Sequence, residues 1–378
     1  MKKLILPVLL AAGALATNTV AAEAAAKQYV VVIAEGTSPQ VLELGKGYLR
    51  KSDEDPELVT AFDSLMEMGK AAPVGANAIA EMNGLLETAE QNGFQTGFIT
   101  TTDVTKVAPL FYSNVASAMA KGDFIGGGGR TSAATAGAAL KAAGGTYIAD
   151  ADGLAEEIKG RVLALQADGD LSYAIDRMPE TESGLAELAT LAMDVLGEND
   201  TPYVLVVHDT LVKKALDTKD TPALFEQFRE LNSILGDALA RQEDNAQMGV
   251  AALLTGGEVV PQFQTGADAN GAFFTISSLR KSFTAVGTAL KGESVENITI
   301  FVDPIEGEYR GWKLSDAQKS QIAAGTLNAE TVARSAYEPV LRLDFARTNA
   351  APVAYTSGIA ASAGLVPALK AAVSSPAK

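Results

Sequence analysis

Few side chains in this sequence could do chemistry, and what is missing narrows the reading as much as what is present. His208 is the one histidine and cysteine is absent, so thiol chemistry is excluded and transition-metal catalysis has little to work with. No G-x-S-x-G elbow, H-E-x-x-H pair or Walker A loop occurs, nor a G-x-G-x-x-G between a strand and a helix. Asp168-Gly-Asp170 and Asp150-Ala-Asp152-Gly153 have the acidic spacing that opens a calcium loop. Neither carries the full ligand series, and such pairs ordinarily make polar turns. Gly126 to Gly129 is a run of four glycines, which by itself reads as a tight turn at a strand end.

An alternation of strands and helices must position these groups. Gln28 to Ile33 is a β-branched run bounded by Ala34-Glu-Gly-Thr-Ser-Pro39, which reads as a buried strand and a turn. Helical spacing follows over 41–48 and 77–92, the latter stopping at Asn92-Gly93. The rhythm continues with strands over 94–100, 123–125, 146–148, 162–165, 203–207 and 249–254, and helices over 107–120, 132–143, 151–159, 183–197 and 221–242. Strands separated by helices imply parallel crossovers, hence a three-layer α/β/α fold with a mostly parallel central sheet. Ligands of such sheets bind beyond the carboxyl ends of the strands. Residues 273–346 break the rhythm, with a strand expected at 298–302 and helix from a capping Ser315-Asp316 to Ala346. This stretch reads as an insertion or elaborated edge of one domain spanning 27–378.

Two segments carry a family resemblance. Gly97-Phe-Ile-Thr-Thr-Thr-Asp-Val-Thr-Lys-Val-Ala-Pro-Leu-Phe-Tyr112 is similar to the alkaline phosphatase pattern G-[IL]-V-T-T-T-R-V-T-H-A-T-P-A-A-F-Y. Asp123-Phe-Ile-Gly-Gly-Gly-Gly-Arg130 resembles that family's D-V-[IL]-[LM]-G-G-G-R, in the right order and at the right distance. The resemblance extends with gaps over 28–378. It implies the alkaline phosphatase fold and, for an intact member, phosphomonoester hydrolysis with zinc and magnesium.

Almost every position that the resemblance marks for that chemistry holds another residue. Lys106 stands at a histidine, and an ammonium is a poor ligand for a divalent ion. Val32 to Ser38 resembles [FL]-[IL]-G-D-G-M-G, with Glu35 at the metal-bridging aspartate. A ligand role is open to Glu35, and so is that of a solvated turn acid or salt-bridge partner. Pro73 to Ala80 stands for D-S-A-[AG]-[TS]-A-T-A, with Pro73 at a ligand aspartate and Val74 at the serine nucleophile. Valine has no lone pair with which to attack phosphorus. Tyr203 to Asp220 resembles F-[FL]-L-M-V-E-G-G-R-I-D-H-G-H-H-A-N-D, which puts His208 at a glutamate ligand, Lys213 at an aspartate and Leu216 at a zinc histidine. The plain alternative for His208 is a strand-end histidine bonded to backbone. Ala252 to Val259 corresponds to V-T-A-D-H-[ES]-T-G-G without its Asp and His. Arg347 takes a histidine position near the C-terminus, and Ala118 that of a phosphate-clamping arginine. No metal site is therefore expected. If the resemblance holds throughout, Lys106, Lys213 and Arg347 gather near Glu35, either in an internal network with Asp103 or Asp209 or around a weakly held small anion. The network is favoured, because the arginine fork that usually holds such an anion is gone.

Met1-Lys-Lys3, the apolar run Leu4 to Ala16 and the small residues Val20-Ala-Ala22 have the order and length of a secretory signal over 1–22. The mature chain is expected to start near Glu23, outside the cytoplasm or in the periplasm, with no membrane anchor after cleavage. A formal net charge of −16 excludes nucleic acid as a natural partner. Three functional readings stand at this point: a secreted pseudoenzyme with a binding, scaffold or extracellular structural role; a divergent phosphomonoesterase; and a periplasmic binder of a small anion or other ligand. Self-association is compatible with the first.

Overall fold

Both faces of Gln28–Ala34 (β1) are buried, as its unbroken apolar run requires of a strand inside a parallel sheet. The computed structural model describes residues 27–155, 158–289, 315–328 and 341–377, together with 330, 331, 334, 335 and 338. The remaining strands are Lys70–Ala72 (β2), Gln95–Asp103 (β3), Phe124–Gly128 (β4), Thr146–Ile148 (β5) and Val162–Ala167 (β6). Tyr203–Asp209 (β7), Met248–Leu254 (β8), Gly257–Phe263 (β9), Leu343–Ala350 (β10) and Val353–Ser357 (β11) complete the set.

Nine of these form one sheet in the order β2-β11-β8-β1-β7-β3-β4-β6-β5, and β9 pairs antiparallel with β10 in a separate ribbon. Parallel pairing runs from β8 through to β5, while β11 is antiparallel to both β8 and β2. Successive side chains of a strand face opposite ways. Val30, Val32 and Ala34 accordingly join one core with Leu42 and Leu231 from the helices Pro39–Ser52 and Thr221–Asp244. Tyr29, Val31 and Ile33 join a second core with Leu85 and Leu369 from Leu85–Gln91 and Leu365–Val373. The three-layer α/β/α reading is correct. Among the described residues no helix is long and apolar enough to cross a membrane.

Several local expectations need correction. The helix expected over 77–92 is two, Ala78–Glu81 and Leu85–Gln91, because Gly84 between them takes φ 72°, outside the helical region. The helix expected over 107–120 is also two. Asp103 caps Val104–Phe111, and Asn114 restarts the chain by accepting a hydrogen bond from the Ser117 amide. Over 151–159 only the short 3-10 turn Asp152–Ala155 is described. The strand expected at 298–302 lies outside the described residues. Ser315 and Gln318 form the anticipated capping box of Asp316–Ala323, but helix does not reach Ala346, since β10 begins at Leu343 and pairs with β9.

Candidate functional site

The carboxyl ends of β8, β1, β7 and β3 lie side by side, and their register fixes who meets whom. Ile33, His208 and Thr100 are cross-strand neighbours, so the side chains of His208 and Thr100 share one face of the sheet. The imidazole is 1% exposed. Its Nε2 lies 2.7 Å from Glu35 Oε1 and its Nδ1 3.3 Å from Thr100 Oγ1, with the Phe111 ring edge-on at 5.9 Å. A buried ring needs both nitrogens satisfied. With the proton on Nε2, the ring donates to the carboxylate and accepts from the threonine hydroxyl, an assignment made from the partners' chemistry. His208 is therefore bonded to two side chains rather than to backbone, and Glu35 is its partner.

Asp209 points to the other face. It is completely buried, accepts from the Val212 amide at 3.0 Å and from Gln227 Nε2 at 3.0 Å, and pairs with no cation among the described residues. Burial, aided by the negative charges of Glu230 and Glu35, pushes its carboxyl up to about 7, against the Val212 hydrogen bond. The same Gln227 nitrogen donates to Glu230 Oε2 at 2.7 Å, and Arg177 holds Glu230 at 2.6 Å. A buried polar chain thus runs inward from the rim.

Beyond β3, the Asp103 carboxylate accepts from the Thr105 amide at 2.9 Å and from Ser132 Oγ at 2.8 Å. Burial opposes its ionisation, but these bonds and the nearby Lys106 outweigh it and hold the acid below its ordinary value. Lys106 is largely exposed and lies 3.5 Å from Asp170, which also accepts from the Thr102 hydroxyl.

A cavity of about 200 Å³ lies beside Glu35, and it brings together three of the residues singled out from sequence: Glu35, Lys213 and Leu216. Asp217, Thr255 and Glu258 also line it. Gly36 lets it form: at φ +78°, a Cβ there would stand 2.8 Å from Lys213 Cα. Asp217, Thr255 and Glu258 were not picked out as site residues, although Thr255-Gly-Gly257 directly after an apolar strand is a turn signal that marks a strand's carboxyl end.

The other positions sit apart. Ala118 is fully buried in the second core on Val115–Lys121. Pro73 and Val74 follow β2, three strands along from β1, a separation of about 14 Å at ordinary strand spacing. Pro73 is exposed, and Val74 packs against the second core. Arg347 is exposed on β10 opposite Val259, which lines the cavity. The expected gathering of three cations around Glu35 is not what forms. Lys213 pairs with Asp217, Lys106 with Asp170, and Glu35 with His208.

No protein-family model matches the chain. Over 172 residues it is 26% identical to Alkaline phosphatase 4 of Bacillus subtilis (strain 168), a match that spans 40% of this chain and 37% of that relative. Among solved structures, the alkaline phosphatase of Thermus thermophilus superposes with a TM-score of 0.74 at 16% identity, covering 88% of this chain and 86% of that one. The cold-active alkaline phosphatase of a psychrophilic Shewanella sp. gives 0.70 at 15% identity, covering 92% and 98%.

This chain has the alkaline phosphatase fold. The motif segments lie where such a sheet binds ligands, with Glu35, the three threonines, the glycine run, His208 and Thr255 at the carboxyl ends of β1, β3, β4, β7 and β8. The zinc and magnesium that the fold family implies need several carboxylate and imidazole donors around each ion. At this rim both nitrogens of His208 and one oxygen of Glu35 are bonded to protein, Asp217 is paired with Lys213, and among the described residues no three acids or histidines gather closely enough to hold an ion. These residues do not fit a pair of divalent ions.

Proposed function

We propose that this chain is an exported, non-catalytic protein of the alkaline phosphatase fold, which acts by binding or assembly and holds neither zinc nor magnesium. The observation that carries the reading is the Glu35–His208 pair. The one acid retained at a ligand position is hydrogen-bonded to the one histidine, which is buried and bonded again on its far side. The Nε2–H bond occupies one carboxylate oxygen where the family would place metal. Val74 adds the loss of a nucleophile, so covalent phosphoryl transfer fails at its first step. The N-terminal pattern over 1–22 supports export.

Binding of a small anion at this rim is the weaker form of the reading. Glu35, Asp217 and Glu258 outnumber Lys213 in the cavity lining. The amides of Gly36 and Gly256, which could cradle an anion, already donate to Thr255 Oγ1 and to the Thr37 carbonyl.

The test combines elemental analysis of the purified mature protein with an aryl phosphate assay in zinc- and magnesium-replete buffer. Substoichiometric metal and turnover at the buffer background are expected. Two bound ions per chain with turnover abolished by Glu35→Ala would establish the phosphomonoesterase instead. N-terminal sequencing of protein recovered outside the cytoplasm checks export, with a start near Glu23 expected; an intact Met1 would overturn it.

A further inference from the structure

A second crevice, about 660 Å³ in volume, opens between Pro39–Ser52 and Ala269–Ser278. It shares no lining residue with the cavity beside Glu35. One wall is the stripe Asn270, Phe274 and Ser277, whose i, i+4 and i+3 spacing places all three on one side of their helix. The facing stripe runs from Gly47 to Lys51, with Arg50 beside it.

The walls are built to stay open. Phe273 is buried and sits edge-on to Phe225 at 5.5 Å and to Phe263 at 5.3 Å, which anchors its helix in the aromatic core. A Cβ at Gly47 would come within 3.2 Å of the Phe273 ring, so glycine lets the two helices close at the base. Towards the mouth the lining is mostly small and polar, with Ser52, Asn270 and Ser277, and Phe274 stands 50% exposed among them. A half-exposed ring on a firmly seated helix is a ready stacking surface.

The charges are specific. Arg50 is committed, donating to the Leu58 carbonyl at 3.1 Å and to Asp63 at 2.7 Å. Lys51 makes no ion pair or side-chain hydrogen bond with another described residue. Glu54, also in the lining, limits the favourable charge of an occupant to a single negative group.

We propose that this crevice binds a flat aromatic carboxylate, with its ring on Phe274 and its carboxylate on Lys51. The volume lies inside the range of small-molecule sites, roughly 300–1,000 Å³. Stacking on Phe274 supplies shape selectivity, and the Lys51 ammonium distinguishes the anion from a neutral compound of the same outline.

Calorimetric titration of the intact protein with naphthoate tests this. One saturable site is expected, weakened about tenfold by Phe274→Ala and several-fold by Lys51→Gln, and tightened by Glu54→Gln. Naphthalenemethanol, which keeps the ring and lacks the charge, is expected to bind several-fold more weakly. Thermal melts of each variant check that the fold is intact. Absence of saturable heat up to roughly 5 mM ligand overturns the proposal. So does saturable binding that Phe274→Ala and Lys51→Gln both leave unchanged, which places the ligand elsewhere.

Discussion

Asp209 follows His208 in β7, and the pleat of the strand sends the two into different layers of the protein. His208 meets Glu35 and Thr100 on the face packed by Phe111, while Asp209 meets Gln227 of the long helix Thr221–Asp244 on the other. One residue completes a rim pair, and the next begins a buried chain toward Glu230 and Arg177. Adjacent polar residues at a strand end thereby serve two separate networks.

Asp209 makes stability depend on pH. Its carboxyl titrates near 7 in the folded protein and near 4 when unfolded, so between those values the folded state alone keeps the proton. The stabilising contribution is fully present below about pH 4 and is lost as pH rises toward 7. Asp209→Asn removes this dependence. At pH 8 the variant is expected to be more stable than the parent by roughly 1–3 kcal/mol, and the difference should shrink or reverse at pH 5. Urea unfolding of both proteins at several pH values checks this, and parallel pH profiles would refute it.

Removing one member of the Glu35–His208 pair leaves a buried group without its partner. Glu35→Ala is expected to cost about 1–3 kcal/mol by stranding Nε2 of a ring that solvent barely reaches. Against a His208→Leu background the same substitution should cost clearly less. A double-mutant cycle by chemical denaturation measures the coupling, and a coupling energy near zero would show the contact to be incidental.

Chelation should be nearly silent. A metal that bound only the folded state would raise its stability and lose that contribution to EDTA. Here the melting temperature is expected to move by less than about 2 °C on dialysis against EDTA or on return of zinc and magnesium. A larger shift in either direction would restore the divalent ions to the rim.

Gly36→Ala tests how the cavity is held. The backbone there is left-handed and a Cβ would press on Lys213 Cα at 2.8 Å. A loss of roughly 1–3 kcal/mol is expected from strain and displacement of Leu211–Thr218. An unchanged denaturation midpoint would mean that the turn relaxes freely.

Val74→Ser alone is expected to leave aryl phosphate hydrolysis at background. The new hydroxyl would stand in the loop after β2, three strands from β1, with no general base or metal donor supplied to activate it. Hydrolysis that rises with this single substitution would contradict that.

Much of the architecture was legible in the amino-acid order because strand and helix formation answer to local sterics and short-range periodicity. The apolar runs at 28–33, 203–207 and 249–254 became the central strands β1, β7 and β8, and the motif segments fell at strand ends. Where a helix pauses was less legible, since Gly84 and Asn114 interrupt helical spacing that continues past them. The ribbon of β9 and β10 was hidden for another reason: half-exposed strands carrying Pro261, Asp344 and Arg347 look like loops until each supplies the other's hydrogen bonds. The partnerships at the rim belong to tertiary structure alone. Glu35 and His208 are 173 positions apart, and His208 and Thr100 are 108 apart. They meet because packing of the two cores places β7 between β1 and β3, and a one-residue change of register would turn the histidine toward Gln227 instead. The sequence marked Glu35, Lys106, His208 and Lys213 as the residues at the positions that the family resemblance singles out. Only the sheet order decided that Glu35 and His208 would hydrogen-bond each other while Lys106 and Lys213 took separate partners.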